Sequence, residues 1–271
     1  MPEAPILEVK DLKTYFYSKD SVVKAVDGVS LCAYAGRITA LIGGSGSGKS
    51  VMSRSIMGLI DEPGKIVGGE VWLNGRDLRT LPEKQMRKVR GKEIAMIFQE
   101  PTAAMNPVIK VKNHLFEAAR FYERQKAKAE RLAYFQDVLQ RVGLRNPDQI
   151  LEAYPFELSG GMRQRVGIAM AMIFSPKLLL ADEPTSALDV TTQAQIIRQI
   201  VDVRNEYNAA VILVTHNIGV ASYVSNKLMV MKNGRVVESG GREIIENPQH
   251  AYTKELLAAV PVLGDKKYYE R

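Results

Sequence analysis

Continuous apolar runs, separated by segments of helical periodicity, make up much of the chain. A strand that is covered on both faces shows no polar alternation, so these runs predict buried strands over residues 38–42, 94–98, 178–181 and 211–214. Helices are expected between and after these runs, over residues 49–59, 159–174, 192–207 and 251–259. Strands that alternate with helices predict a parallel, doubly wound α/β core.

The start of the chain has a different pattern. Short β-prone runs at residues 6–9 and 22–26 predict strands, and the aromatic cluster Tyr15-Phe16-Tyr17 lies between them. Asn74-Gly75 is a two-residue hairpin signal between β-prone residues, and Asn233-Gly234 is a second one. We therefore expect an N-terminal antiparallel β subdomain beside the parallel core.

A long helical stretch interrupts the alternation in the middle of the chain. Residues 111–142 repeat apolar positions at helical spacing, and we interpret about residues 100–175 as an inserted α-helical subdomain. No linker rich in Pro, Gly or Ser separates the parts, so we expect one unit over residues 1–245. A short helical tail is expected over residues 246–271.

Composition narrows the class of protein. The 271 residues are 46% hydrophobic and 25% charged, as in a folded globular protein, and no apolar run approaches the roughly 20 residues of a membrane span. No basic-then-apolar leader opens the chain, and one cysteine, Cys32, predicts neither an internal disulfide nor a Cys-based metal site. We expect a reducing, cytoplasmic setting. The net charge of +7 is compatible with nucleic acid, an anionic membrane surface or a phosphate ligand.

A glycine-rich loop follows the first buried run. It matches the phosphate-binding pattern GxxxxGK followed by Ser, and consists of Gly43, Gly44, Ser45, Gly46, Ser47, Gly48, Lys49 and Ser50. The glycines let backbone N–H groups point at phosphate oxygens, and the helix that follows adds the positive end of its dipole. Lys49 is expected to reach the phosphates and Ser50 to offer a hydroxyl to Mg²⁺. We include Val51 in this predicted nucleotide-binding set.

A second buried run delivers two adjacent carboxylates at its end, Asp182 and Glu183. Asp182 can hold Mg²⁺, and Glu183 can polarise a water for in-line attack on a γ-phosphate. The alternative interpretation is an acidic pair that caps a helix after a core strand. The glycine-rich loop upstream favours the catalytic interpretation, because context raises the specificity of a motif.

Ser159, Gly160 and Gly161 stand at the start of a predicted helix and build a second anion-binding N-terminus. The glycine-rich loop already surrounds one side of a bound triphosphate. We therefore expect this second anion-binding site, a second cradle, to cover the nucleotide held by another copy of the fold. An ordinary N-capped helix is the alternative, and these three residues alone do not decide between them.

Together these motifs resemble the ATP-binding cassette (ABC) family over almost the whole chain. Lys49 and Ser50 match its Walker A motif, and Asp182 and Glu183 match Walker B and the catalytic glutamate. Residues 158–164 match the signature LSGGQ in an LSGGMRQ form. The remaining matches are Gln99 of the Q-loop, Asp189 of the D-loop, the switch histidine His216, and Phe16 as the aromatic that stacks on adenine, with Tyr15 and Tyr17 as possible substitutes.

The resemblance implies a P-loop NTPase (RecA-like) core and a head-to-tail pair of cassettes that bury two ATP molecules with Mg²⁺. Glu183 would orient the attacking water, His216 would contact the γ-phosphate, and Gln99 would touch Mg²⁺ or the water. Ser159, Gly160, Gly161 and Asp189 would serve the nucleotide across the interface. The partners implied are two integral-membrane permease subunits, a second ATPase subunit and, through the permease, an extracellular or periplasmic substrate-binding protein, at the cytoplasmic face of the cell membrane.

A narrower resemblance points to the oligopeptide, dipeptide and nickel importers. It rests on residues 96–107, which end in Asn106-Pro107, and on residues 247–253, which read NPQHAYT. The cargo is thus expected to be a peptide or a nickel or other metal chelate. Many peptide-branch relatives carry a C-terminal cysteine cluster, but no cysteine follows Cys32, so no iron–sulfur cluster is expected.

Two other classes compete with a transporter ATPase. A soluble cassette ATPase acting on DNA or ribosomes would fit the charge, but the chain has no heptads, a single cysteine and a single P-loop. A small-molecule kinase would have no use for the cradle that begins at Ser159. We therefore expect no nucleic-acid partner.

Overall fold

A computed structural model describes residues 4–100, 105–120, 127–186 and 188–259. Some predicted features lie outside these ranges: residues 101–104 of the 96–107 segment, residues 121–126 of the 111–142 helical stretch, and the tail beyond residue 259.

Ten strands lie in the described part of the chain. In order they are β1 (Leu7–Tyr17), β2 (Val22–Ala33), β3 (Ile38–Ile42), β4 (Gly64–Leu73), β5 (Arg76–Asp77), β6 (Ile94–Ile97), β7 (Leu178–Asp182), β8 (Ala210–Thr215), β9 (Lys227–Lys232) and β10 (Arg235–Gly240). They form a four-stranded antiparallel sheet, in the order β2-β1-β4-β5, and a six-stranded sheet, in the order β10-β9-β3-β8-β7-β6. The five strands from β9 to β6 are parallel, and β10 pairs antiparallel with β9.

The helices cover both faces of the larger sheet. In chain order they are α1 (Lys49–Met57), α2 (Glu83–Val89), α3 (Val111–Ala119), α4 (Lys128–Arg141), α5 (Pro147–Glu152), α6 (Gly160–Met172), α7 (Val190–Tyr207), α8 (Ile218–Val224), α9 (Glu243–Glu246) and α10 (Ala251–Ala258). None of these described helices is long and apolar enough to cross a bilayer. The parallel core, the antiparallel N-terminal sheet and the helical insert confirm the predicted fold class.

Three apolar clusters make up the described interior, and the smallest of them packs α8 and α9 against β3 and β9. The first joins one face of the parallel sheet to α3, α4, α5, α6 and α7, with Phe135 fully buried at its centre. The second joins the opposite face, together with α1, to the antiparallel sheet through residues such as Leu12, Met52 and Ile212. Helix α1 therefore lies between the two sheets, and this packing fixes the position of the loop that precedes it.

Some local predictions were incomplete. Residues 7–9 and the aromatic cluster belong to one long strand, β1, because it pairs with both β2 and β4 and continues through register shifts near Asp11. Helices α2, α5, α8 and α9 span only four to seven residues, too few for a clear periodic signal. Four basic residues lie close together at the end of α2 and just after it: Arg87, Lys88, Arg90 and Lys92. Of these, Arg90 bonds to Glu83 and to the Met57 carbonyl.

Candidate functional site

The glycine-rich loop runs from the end of β3 into the first turn of α1 and forms one wall of a cavity of about 840 Å³. The predicted residues that line this cavity are Phe16, residues 45–51, Gln99, Glu183 and His216. The four neighbouring strands β3, β6, β7 and β8 end at this edge of the sheet, so residues distant in sequence meet there. Ligands of open α/β sheets bind at such an edge.

Glycine at position 48 is required by the backbone. Its φ is +102°, and a Cβ atom built there would lie 2.0 Å from the carbonyl oxygen of Ala25. Gly46 also has a positive φ, +74°, but no atom lies within 4 Å of its Cβ position. The loop therefore curls tightly against β2 at one point and stays open to the cavity at the other.

Lys49 is 4% exposed and points back into its own loop. Its Nζ donates to the carbonyl oxygens of Gly43 and Gly44, each at 2.9 Å, and contacts Ser47 Oγ at 3.3 Å. Burial lowers the pKa of this ammonium group, while the carboxylates of Glu183 and Asp182 raise it. The cation is thus held by neutral carbonyls, and phosphate oxygens can replace them.

Ser50 and Asp182 form the hard-oxygen part of the site. Ser50 Oγ donates to Asp182 Oδ1 at 2.8 Å, and Asp182, at the end of β7, is 2% exposed. Burial raises the pKa of this carboxyl, and the hydrogen bond from Ser50 opposes that rise. Hydroxyl and carboxylate oxygens are ligands that suit Mg²⁺, which usually takes one or two carboxylates plus phosphates and water. Among the described residues, no group of three or more His, Cys, Asp or Glu side chains is placed to hold a metal ion.

Glu183 and His216 face each other at the mouth of the cavity. His216 Nδ1 lies 3.2 Å from Glu183 Oε2, and the backbone N–H of Glu183 donates to the carbonyl of Val214 at 2.9 Å. The carboxylate and the imidazole therefore point into the space next to the loop. This pair can accept and donate protons around a ligand held there.

Seven of the predicted residues do not line this cavity, and four of these lie at the starts of α6 and α7: Ser159, Gly160, Gly161 and Asp189. Ser159 caps α6 through the N–H of Met162, and Asp189 caps α7 through the N–H and hydroxyl of Thr192. The hydrogen bonds from Thr192 lower the pKa of the Asp189 carboxyl. A Cβ on Gly161 would lie 2.8 Å from Thr192 Cγ2, so a glycine lets α6 and α7 approach closely.

Gly43, Gly44 and Asp182 stand behind the cavity wall rather than on it. Gly43 and Gly44 hold Lys49 through their carbonyls, and Asp182 reaches the cavity through Ser50. Of the aromatic cluster, Phe16 lines the cavity, whereas the Tyr15 hydroxyl donates to Asp27 at 2.7 Å. A glycine at position 64 leaves room for the Phe16 ring, since a Cβ there would lie 2.6 Å from it.

Sequence reasoning missed part of the cavity wall: Val22, Val23, Lys24, Ala25, Asn233 and Gly234. The hairpin signal at Asn233-Gly234 predicts a turn but not its place. In the structure the N–H of Gly234 donates to the Ser47 carbonyl at 3.0 Å, which ties the β9–β10 turn to the glycine-rich loop. Val22 and Val23 are 49% and 60% exposed and lie on the Phe16 side, where they extend the apolar surface for a planar ligand.

Comparison with known proteins identifies a family and close relatives in sequence. The family model described as ABC transporter matches residues 26–186. The oligopeptide transport ATP-binding protein AppD of Bacillus subtilis is 44% identical, over 95% of this chain and 79% of its own length. The dipeptide transport ATP-binding protein DppD of Escherichia coli is 42% identical, over 97% of this chain and 80% of its own.

A solved structure shares the same architecture. It is the dimeric post-hydrolysis state of the ATP-binding cassette MJ0796 bound to ADP and Pi, with a TM-score of 0.78 and 27% sequence identity. The match covers 87% of this chain and 98% of that one.

Proposed function

Because the chain belongs to the ABC transporter family, we propose that it uses ATP hydrolysis to drive peptide import through membrane permease subunits. The chain is an ATPase coupled to transport. Its relatives AppD and DppD are described as oligopeptide and dipeptide transport proteins. The observation that carries the proposal is the convergence of Lys49, Ser50, Glu183 and His216 on one cavity.

We propose that the cavity holds ATP with its adenine beside Phe16 and its phosphates in the glycine-rich loop. The ring of Phe16 and the exposed Val22 and Val23 offer an apolar surface to a purine base. The backbone N–H groups of Gly48 and of the first turn of α1 favour an anion at the other end. Lys49 exchanges the carbonyls of Gly43 and Gly44 for phosphate oxygens.

The oxygen donors beside the loop fit Mg²⁺, with Ser50, Asp182 and Gln99 as the residues that would hold it directly or through water. Ser50 and Asp182 are already 2.8 Å apart, and Gln99 follows β6 on the same cavity wall. The ion, when bound, neutralises charge that builds up on the transferred phosphoryl group.

Glu183 is proposed to orient the attacking water and to accept its proton. His216 is proposed to donate a hydrogen bond to the γ-phosphate, which stabilises charge that develops in the transition state. The contact of 3.2 Å between the two side chains supports this division, because each holds the other in place at the cavity mouth.

The signature residues Ser159, Gly160 and Gly161, together with Asp189, are proposed to close over the ATP of a second cassette. None of the four lines this chain's own cavity, and Val190, the residue after Asp189, is 82% exposed. The similar cassette of known structure is described as dimeric with ADP and Pi. The partner would be a copy or a paralogue, and closure and opening of the pair would transmit hydrolysis as rigid-body motion.

A small apolar groove beside Gln99 supports contact with a permease subunit. The groove has a volume of about 220 Å³ and lies between α1, β6, α3 and α6, with Met57, Met96, Phe98 and Met170 on its walls. Methionine-lined grooves adapt to apolar partner helices. We propose that a permease subunit docks at this groove on each cassette of the pair, so that two integral-membrane permease subunits are bound in all. The assembly is proposed to lie at the cytoplasmic face of the membrane. A substrate-binding protein outside the cell would deliver the peptide to the permease.

The test is reconstitution in vesicles with the membrane subunits encoded by neighbouring genes. Labelled peptides and ⁶³Ni²⁺ are offered together with the cognate binding protein, and ATP is supplied on the cassette side. Peptide uptake that stops when Lys49 is replaced by Ala supports the proposal. Uptake of nickel alone would correct the cargo, and recovery of the chain with DNA or ribosomes but without membrane subunits would contradict the proposal.

A further inference from the structure

The helical tail of the chain touches the phosphate-binding loop through one hydroxyl group. Tyr252, at the start of α10, accepts a hydrogen bond from the backbone N–H of Gly44, with 2.8 Å between the N and Oη atoms. The two residues are 208 positions apart. Neither the loop motif nor the tail sequence by itself indicates this contact.

Tyr252 is fixed from two directions. The ammonium group of Lys232, at the end of β9, lies 4.4 Å from the centre of the Tyr252 ring. The carboxylate of Glu238, in β10, accepts the backbone N–H groups of Gln249 and His250 at 2.8 and 3.2 Å. The His250 ring in turn accepts the N–H of Tyr252, so the entry into α10 is tied to the sheet. The hydroxyl group is therefore presented to the loop by a rigid support.

Residue Gly44 is held at both of its polar backbone atoms. Its N–H donates to Tyr252, and its carbonyl accepts from Lys49 Nζ at 2.9 Å. When Lys49 turns to the phosphates, the Gly44 carbonyl keeps only its bond from the Ser47 N–H, at 3.3 Å, while the bond that the Gly44 N–H donates to Tyr252 is not affected. On the far side of the loop, the Ser47 carbonyl keeps its bond from Gly234.

We propose that Tyr252 is a positioning residue of the ATPase site, which keeps Gly44 in place while Lys49 exchanges loop carbonyls for phosphate oxygens. The C-terminal part of the chain then braces the loop at two points, Gly44 and Ser47. This inference rests on the proposed ATP site and gives the C-terminal tail a role in that site. We expect loss of the Tyr252 hydroxyl to weaken nucleotide binding and to leave kcat nearly unchanged, because bound phosphates hold the loop in place once ATP saturates the site.

The first test compares Y252F with Y223F in the full chain. Tyr223, on α8, is 90% exposed, so Y223F removes a hydroxyl remote from the loop contact. In Y252F we expect the Kd for Mg-AMP-PNP and the KM for ATP to rise about three- to tenfold, the range for a lost neutral hydrogen bond, with kcat within about twofold. Values for Y252F equal to those of Y223F would overturn the inference.

A second test uses position 44 itself. A Cβ there would lie 3.0 Å from Tyr252 Oη, so G44A should displace the hydroxyl and raise KM. In the Y252F background that oxygen is absent, and G44A should add little. Fully additive effects would contradict a shared contact. If the unaltered chain neither binds nor hydrolyses ATP, the proposed function fails; if it does both and the two tests are negative, only the role of Tyr252 fails.

Discussion

His216 Nδ1 lies 3.2 Å from the carboxylate of Glu183, although 33 residues separate them in the chain. The contact depends on the pairing of β7 with β8, which brings the ends of the two strands together. Glu183 has a φ of +44°, a conformation that costs a non-glycine residue roughly 1–2 kcal/mol. The hydrogen bond from the Glu183 N–H to the Val214 carbonyl stabilises this backbone conformation just after β7. The Glu183 side chain then lines the cavity.

Replacement of Glu183 by Gln should abolish turnover but preserve ATP binding. The amide keeps the shape of the side chain and cannot accept a proton, and loss of a general base costs about 100- to 10,000-fold in rate. We expect ATP-bound dimers to accumulate, detectable by size-exclusion chromatography, with phosphate release as the measure of turnover. Full ATPase activity in E183Q would remove the proposed role of Glu183.

The sequence predicted the loop and the two acidic residues because their geometry is local. A buried strand, a run of glycines and a helix start follow one another within about a dozen residues, and each has its own signal. The side of the cavity made by Ala25 and Gly234 was not predictable, because it depends on contacts between β2 and the β9–β10 turn. Pairing of distant segments leaves no periodic trace in one sequence.

The aromatic cluster illustrates a second limit. Tyr15, Phe16 and Tyr17 are adjacent in β1, so neighbouring side chains point to opposite faces. The sequence alone could not show which face borders the cavity, so Phe16 was predicted from the family resemblance, with Tyr15 and Tyr17 as possible substitutes. The register of β1 against β2 decides the matter, because it places Phe16 at the cavity and Tyr15 at Asp27. The contact of the Tyr252 hydroxyl with Gly44 was not predicted either, because it depends on how the C-terminal tail packs against a distant part of the chain.

Two glycines of the loop should differ in their tolerance of alanine. Gly46 has open space at its Cβ position, so G46A should cost only about 1–2 kcal/mol, the usual penalty for a positive φ in a non-glycine residue. Gly48 meets the Ala25 carbonyl at 2.0 Å, so G48A should destabilise by about 3 kcal/mol or more, as overpacked and strained sites do. Urea denaturation of the nucleotide-free chain measures both. Equal losses of unfolding free energy in G46A and G48A would contradict this prediction, because they would show that β2 moves to make room for the methyl group.

The ion pair beside the cavity predicts a pH dependence of stability. The Tyr15 hydroxyl and the Arg235 guanidinium bond to Asp27 and hold the pKa of its carboxyl below the ordinary value. A depressed folded-state pKa stabilises the fold above the unfolded value of about 3.9, and this stabilisation is lost as pH falls through the folded value. D27N should therefore melt below the unaltered chain at pH 7, and the difference should shrink towards pH 3.

Asp20 offers a matched control for that experiment. It is exposed in the turn before β2, so D20N removes one carboxylate of similar sequence position without breaking the bonds to Tyr15 and Arg235. We expect D20N to follow the unaltered chain across the pH range. A gap between D27N and the unaltered chain that stays constant from pH 7 to pH 3 would show that charge on Asp27 contributes nothing.

Replacement of Ser159 by Arg should separate ATP binding from closure of the cassette pair. Ser159 is exposed at the start of α6 and does not line this chain's cavity, so the Kd for ATP should stay within about twofold of normal. In the E183Q background the ATP-dependent dimer should disappear, because a long cation would fill the space meant for a facing phosphate. S159A also loses the cap on Met162, at a cost of about 1 kcal/mol, and so isolates the effect of bulk and charge. If S159R instead abolishes ATP binding, the signature serves the nucleotide of its own chain, and the two-cassette arrangement is wrong.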